Sequence, residues 1–392
     1  MIPRVIWTTR AVYYLAGFSG SFLIPYLSLW WVHDGYGITQ IGVILGVSAA
    51  FGIMIQPLWG VASDRKPTSR LPLLLVMAAP GLMAIGFNVR SFPALLALAV
   101  GFNVFAVSRG SLTDAYAVML SRPASRASYG SLRLFGSIGS AMGAYLGGVY
   151  IARVSVHTLW LPFLLLSLLA GVLVRLLPLR SSHAVPPEFW ANLKHTALNR
   201  RFLLFLLGGF LVQQTLTAYD QFFSLAFQQI GGAFADTGLA FALGSLSNVP
   251  FMLLGARFLS RREPVLVMLV AALTYTVRWA LMALFPLPWV FIAVQALHGM
   301  SFGLFWIAGV QYVARIFPGH LRTSGQSVFG MVVVGLASIA GNLADGLALK
   351  IGGPVLLYSS AAGSSALGAA CLAALFCMGR AGDRTAVAQP LS

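Results

Sequence analysis

Apolar runs of about twenty residues follow one another along almost the whole of this 392-residue chain, separated by short polar turns. A hydrocarbon core about 30 Å thick is crossed by about 20 residues of helix, so runs of this length restrict the chain to a bilayer or to a very large buried core. Bounded by charge or by Gly, Pro and Asn, they place twelve spans near 8–32, 40–62, 71–89, 93–120, 129–151, 157–177, 201–229, 236–258, 264–285, 288–316, 323–349 and 354–379. Only 9% of the residues are charged and 58% are hydrophobic, whereas a soluble domain carries about a quarter charged. A membrane barrel would show alternating segments of about ten residues. The expectation is therefore an all-α membrane protein with the lipid bilayer as its solvent.

The formal net charge of +16 raises the question of nucleic acid, because clustered Lys and Arg neutralise phosphates. Their positions exclude it. With the N-terminus inside, the inner segments carry Arg4, Arg65, Lys66, Arg70, Arg122, Arg126, Arg180, Lys194, Arg200, Arg261, Arg262, Arg322, Arg380 and Arg384, while the outer loops carry only Arg90, Arg153 and Lys350. This is the asymmetry of the positive-inside rule and puts both termini in the cytoplasm. The first apolar run is too long for a removable signal peptide and a second follows closely, so the first helix is expected to be retained. Cys371 and Cys377 share one apolar run without His or Cys neighbours at ligand spacing and read as small core residues.

The longest polar stretch, 178–200, divides the spans six and six. It predicts a six-helix bundle over 1–177, a cytoplasmic linker over 178–200, a second six-helix bundle over 201–379 and a cytoplasmic tail over 380–392. The turn after the second span reads Gly60-Val-Ala-Ser-Asp64-Arg65-Lys66-Pro67-Thr68-Ser69-Arg70. It resembles the cytoplasmic signature loop of the major facilitator superfamily at Gly60, Asp64 and Arg65, with Pro67 where that pattern has its second Gly. The corresponding place in the second half, Gly255-Ala-Arg257-Phe-Leu-Ser260-Arg261-Arg262, keeps the Gly and the basic pair but no acid. A narrower resemblance, to the phenylpropionate permease group near the oligosaccharide and nucleoside proton symporters, rests on Leu112-Thr113-Asp114-Ala115, Tyr129 to Gly139, Val277-Arg278-Trp279 and Gln295 to Gly299.

Ionisable groups inside a span are costly and generally face the bundle interior, which makes each a functional candidate. Asp114 and Arg133 lie about seven residues to either side of one loop, hence about 10 Å deep on adjacent helices, and can pair. The pair is either a gate that opens or releases a proton, or a static strut. Arg133 begins a stripe of small residues, Gly136, Ser140, Gly143 and Gly147, that reads as a packing face. Gln213, Thr217, Asp220 and Ser224 share a face of the seventh span, with Asp220 a candidate for touching solute or carrying a coupling proton. Gln295, His298, Phe302 and Trp306 share a face of the tenth; His298 suits proton transfer near neutrality, and Trp306 suits stacking on a ring. Arg278 can meet an anionic solute or an acid such as Asp345. Arg109 lines the inner region near Asp114. Tyr14, Gly17, Ser21 and Pro25 form a face of the first span, Pro25 offering a bend.

The resemblance implies two pseudo-symmetric six-helix bundles with solute bound between them near the midplane, in a bacterial inner membrane, as a monomer. It implies proton-coupled symport of a small organic solute, an aromatic acid, a sugar or a nucleoside, with the proton gradient as the energy source and no cofactor. The fifth span lacks the Pro of antiporters in this superfamily, which favours uptake; an exporter or uniporter of amphipathic compounds is the alternative within the fold. A membrane-embedded enzyme is a remote third reading, because the sequence holds no metal-ligand cluster, nucleophile elbow or phosphate-binding Gly loop.

Overall fold

The computed structural model describes residues 2–65, 70–120, 129–177, 200–259, 262–317 and 322–387, and the described residues are helical with no strand. In chain order the helices are α1 (Arg4–His33), α2 (Ile38–Arg65), α3 (Leu71–Asn88), α4 (Phe92–Ala106 and Arg109–Leu120), α5 (Tyr129–Arg153) and α6 (Val156–Val174). After them come α7 (200–229), α8 (Phe234–Leu259), α9 (Pro264–Leu284), α10 (Pro288–Ile316), α11 (322–351) and α12 (354–387).

Ten stretches of the described residues are long and apolar enough to cross a bilayer, and one of them, Gly325–Met378, runs for 54 residues. That is more than twice what a span needs. It is broken at Gly352 and Gly353, the latter at φ 61, a conformation open to glycine and strained for residues with a Cβ. Pro354 follows and donates no N–H to the preceding turn. The break makes two spans, α11 and α12. Outside the ten lies α8, whose 26 residues are also of spanning length. Counted so, the described residues hold twelve helices of membrane length. The expected linker 178–200 lies outside the described residues up to Asn199, and the helical backbone of α12 continues through the first part of the expected tail, to Val387.

Helices α1–α6 and α7–α12 form two groups that meet along two seams, α5 against α8 and α2 against α11. Lipid gives helices no hydrophobic reason to associate, so their contact depends on close fit. Within the first group α1 and α5 touch through glycines. A Cβ on Gly139 would strike the carbonyl of Tyr14, on Gly143 that of Phe18, and on Gly147 that of Phe22. The expected packing stripe is thus real, although Gly139 belongs to it. Gly143→Val is expected to lower stability by at least about 1–3 kcal/mol, seen as earlier thermal unfolding in detergent; unfolding unchanged from wild type would mean that α1 and α5 have room to part.

The seams concentrate at the end of the molecule that carries Asp34 and Gly231. Gly148 there faces Phe234 and Gly238, and Gly42 faces Asn342 and Gly346. Ser224 donates to the Pro25 carbonyl at 2.6 Å, and the Ser28 hydroxyl donates to the Gln221 carbonyl. Pro25 itself sits in a 3-10 turn, Ile24–Tyr26, that interrupts α1. Aromatic side chains fill both interiors: Trp30 and Trp31 pack edge-on against Phe87 in the first group, and Tyr219, Phe223 and Phe241 pack together in the second.

Candidate solute site

A cavity of about 340 Å³ lies between the two groups, walled by α1, α4 and α5 on one side and by α8 and α10 on the other. Its charged lining is Arg109, Asp114 and Arg133; Tyr13, Asn248 and Phe302 contribute the larger uncharged surfaces. Helix α4 is irregular at Val107 and Ser108, so Arg109 opens the second piece. There it projects between α1 and α6, with Nη1 3.2 Å from Ser19 Oγ and the guanidinium 5.9 Å from the Phe163 ring.

Arg133 Nη1 lies 3.6 Å from Asp114 Oδ2, and the Tyr13 hydroxyl donates to Asp114 Oδ1 at 2.5 Å. The side chains of Arg133 and Asp114 are 37% and 30% exposed, so the pair is wetted and its attraction is weak. The sequence brings the two together correctly.

The second polar group is enclosed in the α7–α12 bundle. Arg278, fully buried, donates to His298 Nδ1 at 3.0 Å, to Ser301 Oγ at 3.2 Å and to Gln295 Oε1. Its guanidinium lies 4.9 Å from the Tyr219 ring and 4.6 Å from the Trp279 ring. Arginine has no acceptor, so His298 Nδ1 must present its lone pair, and the ring is the neutral tautomer with its proton on Nε2. Asp220, half-buried, acts on Arg278 through charge alone, since no hydrogen bond or ion pair joins it to a described residue.

Several expectations change here. Asp345 pairs with Thr217, at 2.5 Å, and leaves Arg278 to its neutral partners. Gln213, Thr217 and Gln295 are buried within the bundle, and Arg278, Asp220 and His298 do not line the cavity. The faces drawn on α7 and α10 assume uninterrupted helix. Helix α7 carries a 3-10 turn at Gln214–Leu216, and α10 carries one at Val294–Leu297 followed by a π turn at Gly299–Gly303. Phe302 therefore reaches the cavity, while Trp306 packs on Phe329 at 5.6 Å. On α1 Gly17 lines the cavity as expected, but Tyr14 points at Met142 Sδ, 3.2 Å away, and its neighbour Tyr13 faces the cavity instead. Asn248, absent from the expected faces, is a polar residue in an apolar run with Ser245 and Ser247 beside it, a signal of an inward face. Gly60, Asp64 and Arg65 end α2, and their side chains lie outside the described residues. Among the described residues no group of His, Cys, Asp and Glu is arranged to hold a metal ion.

Two bundles with a wet cavity at their junction, closed at one end, form a transporter's architecture, and residues 6–360 match the family model described as MFS_1 like family. The chain belongs to that family of the major facilitator superfamily. It is a secondary transporter of the membrane and not an enzyme. The maltose permease of Geobacillus stearothermophilus is 28% identical to this MFS_1-like chain, covering 88% of it and 89% of the permease. The probable 3-phenylpropionic acid transporter of Escherichia coli (strain K12) is 29% identical, covering 82% and 86%. Among solved structures, the nucleoside transporter NupG superposes with a TM-score of 0.82 at 16% identity, over 95% of this chain and 99% of that one.

Proposed function

We propose that this MFS_1-like transporter is a proton-coupled symporter that carries a small organic solute into the cell. The observation that supports it best is the cavity between the bundles, about 340 Å³, at the lower end of the about 300–1,000 Å³ of ligand pockets. That volume suits a single ring with a short polar substituent. Of the substrates named for similar proteins, 3-phenylpropionic acid is of this kind, whereas maltose and nucleosides carry at least two rings. With the Arg-rich turns inside, the sealed Asp34 end faces outward and the Asp114–Arg133 level opens to the cytoplasm, an inward-facing state of a monomer with both termini cytoplasmic.

The coupling proton in this reading uses Asp220, an acid without a bonded partner that senses the charge of Arg278. A proton arriving there weakens the attraction to Arg278 and changes the order of the α7–α10 contacts, while Asp114 and Arg133 part at the inner level. The energy source is the proton gradient, and no cofactor is required. In proteoliposomes with an imposed pH gradient, entry of labelled solute should acidify the lumen. Asp220→Asn should stop accumulation against a gradient yet leave exchange of preloaded solute. Normal accumulation by that variant removes Asp220 from coupling; solute entry without proton entry overturns symport.

A further inference from the structure

The cavity's charges do not cancel. Of its lining residues Arg109 and Arg133 are cationic and Asp114 is anionic; Asp114 serves Arg133, which leaves Arg109. Arg109 is 8% exposed as a residue, and its Nε and Nη2 are buried with no hydrogen-bond partner. No acid among the described residues pairs with it, and the contacts it does make are to Ser19, weakly to the Ala16 carbonyl, and to the Phe163 ring. Buried cations are normally paired, because desolvation costs several kcal/mol per ion. Arg278 in this same protein is better served, with three bonded partners and two aromatic faces, and only its Nε lacks a partner. Arg109 is shielded from water and left unmatched.

Nε and Nη2 are adjacent donors on one edge of the guanidinium, the geometry that a carboxylate meets with two parallel hydrogen bonds. On the opposite wall, Asn248 is 9% exposed and its Oδ1 is also buried without a partner. Arg109 from the first bundle and Asn248 from the second both line a single cavity with a surplus of one positive charge. Their unpartnered atoms are closed off from it in this state, so a solute reaches them only when these side chains turn.

We propose that Arg109 is the carboxylate-recognition residue of this transporter and that its solute is a monoanion, with a hydrogen-bond donor or ring edge directed at Asn248 and Phe302. This rests on the reading of the cavity as the solute site. A monoanion restores neutrality and ties the bundles together through Arg109 on α4 and Asn248 on α8. A neutral sugar or nucleoside leaves the surplus charge in place.

The test uses purified full-length protein in detergent with four probes: 3-phenylpropionate, its uncharged amide, maltose and uridine. Binding is followed by thermal shift and by titration calorimetry. The carboxylate is expected to bind saturably and the amide at least about tenfold more weakly. In Arg109→Gln the carboxylate loses about tenfold or more, while the ligand-free protein unfolds no earlier than wild type, because the variant sheds an unmatched charge. A purely structural Arg109 would give early unfolding instead. Asn248→Asp, which keeps the guanidinium and adds a negative charge opposite it, is expected to weaken carboxylate binding as well and keeps the test open if Arg109→Gln does not fold. Equal affinity for acid and amide, or saturable binding of maltose or uridine that Arg109→Gln leaves unchanged, overturns the proposal. Transport is scored separately: carboxylate binding through Arg109 without gradient-driven uptake leaves this inference standing and sinks symport, whereas gradient-driven uptake of uridine by Arg109→Gln does the reverse.

Discussion

Gly238→Trp should halt net transport while the cavity still binds solute, because it holds the bundles apart at the Asp34 end. Gly238 on α8 lies against α5, where even a Cβ would come within 2.7 Å of the Ala144 carbonyl and 2.9 Å of the Tyr145 carbonyl. These are backbone atoms in mid-helix, unable to give way as the end of a flexible side chain does. An indole at that position therefore removes the closed seam altogether, and a packed interface without room to deform responds by moving to its other arrangement. Turning a 99:1 preference into 1:99 takes about 5.5 kcal/mol, and a tryptophan driven into two helix backbones exceeds that. The measurement is alkylation of a cysteine introduced at Ser28, a fully buried position in the seam, after Cys371 and Cys377 have been replaced by serine. Labelling should rise by about an order of magnitude over the same protein with Gly238 intact, and uptake into vesicles should fall to background. Unchanged labelling with normal uptake would show that α5 and α8 do not separate during transport.

The parts of this protein that were legible in its sequence are those set by the bilayer. Spanning length follows from transfer energies that act residue by residue, so the all-helical membrane fold could be placed without a structure, and the rise of a helix was enough to set Asp114 beside Arg133. The phase of side chains around a helix is less secure, because it assumes about 100° per residue along the entire span. Each 3-10 or π turn rotates the remainder of its helix, and such turns interrupt α1 at Ile24–Tyr26, α7 at Gln214–Leu216 and α10 across Val294–Gly303. The predicted solute faces on α7 and α10 fall on these interruptions, and there the structure turns Gln213, Thr217 and Gln295 into the bundle. Tyr13 and Tyr14 differ by one position, too little for periodicity to separate. The unmatched state of Arg109 was illegible for a different reason: its missing partner is a fact about every helix around it, and a sequence shows only that arginine is present.

The two buried arginines make a comparison of opposite sign. Arg278→Met is expected to destabilise the protein by about 1–3 kcal/mol for each buried polar group it leaves without a partner. Methionine replaces the apolar stem and adapts to the gap, so the loss comes from the groups left behind. Gln295 Oε1 and Ser301 lose their donor, His298 Nδ1 is left with a lone pair facing hydrocarbon, and Tyr219 and Trp279 lose the cation between them. Asp220 loses the one positive charge that acts on it, and uptake should disappear with stability. A further variant separates these effects. Combining Arg278→Met with Gln295→Leu and His298→Leu removes the stranded groups together, and replacing a whole buried polar cluster by apolar side chains of similar size is often neutral. The triple variant should therefore unfold later than Arg278→Met alone while remaining inactive, a non-additivity expected of residues in one network. If the triple variant is less stable than Arg278→Met by the sum of the separate losses, Gln295 and His298 hold the bundle on their own account and Arg278 is one strut among several. If it recovers stability and transport together, the cluster has no part in moving the proton.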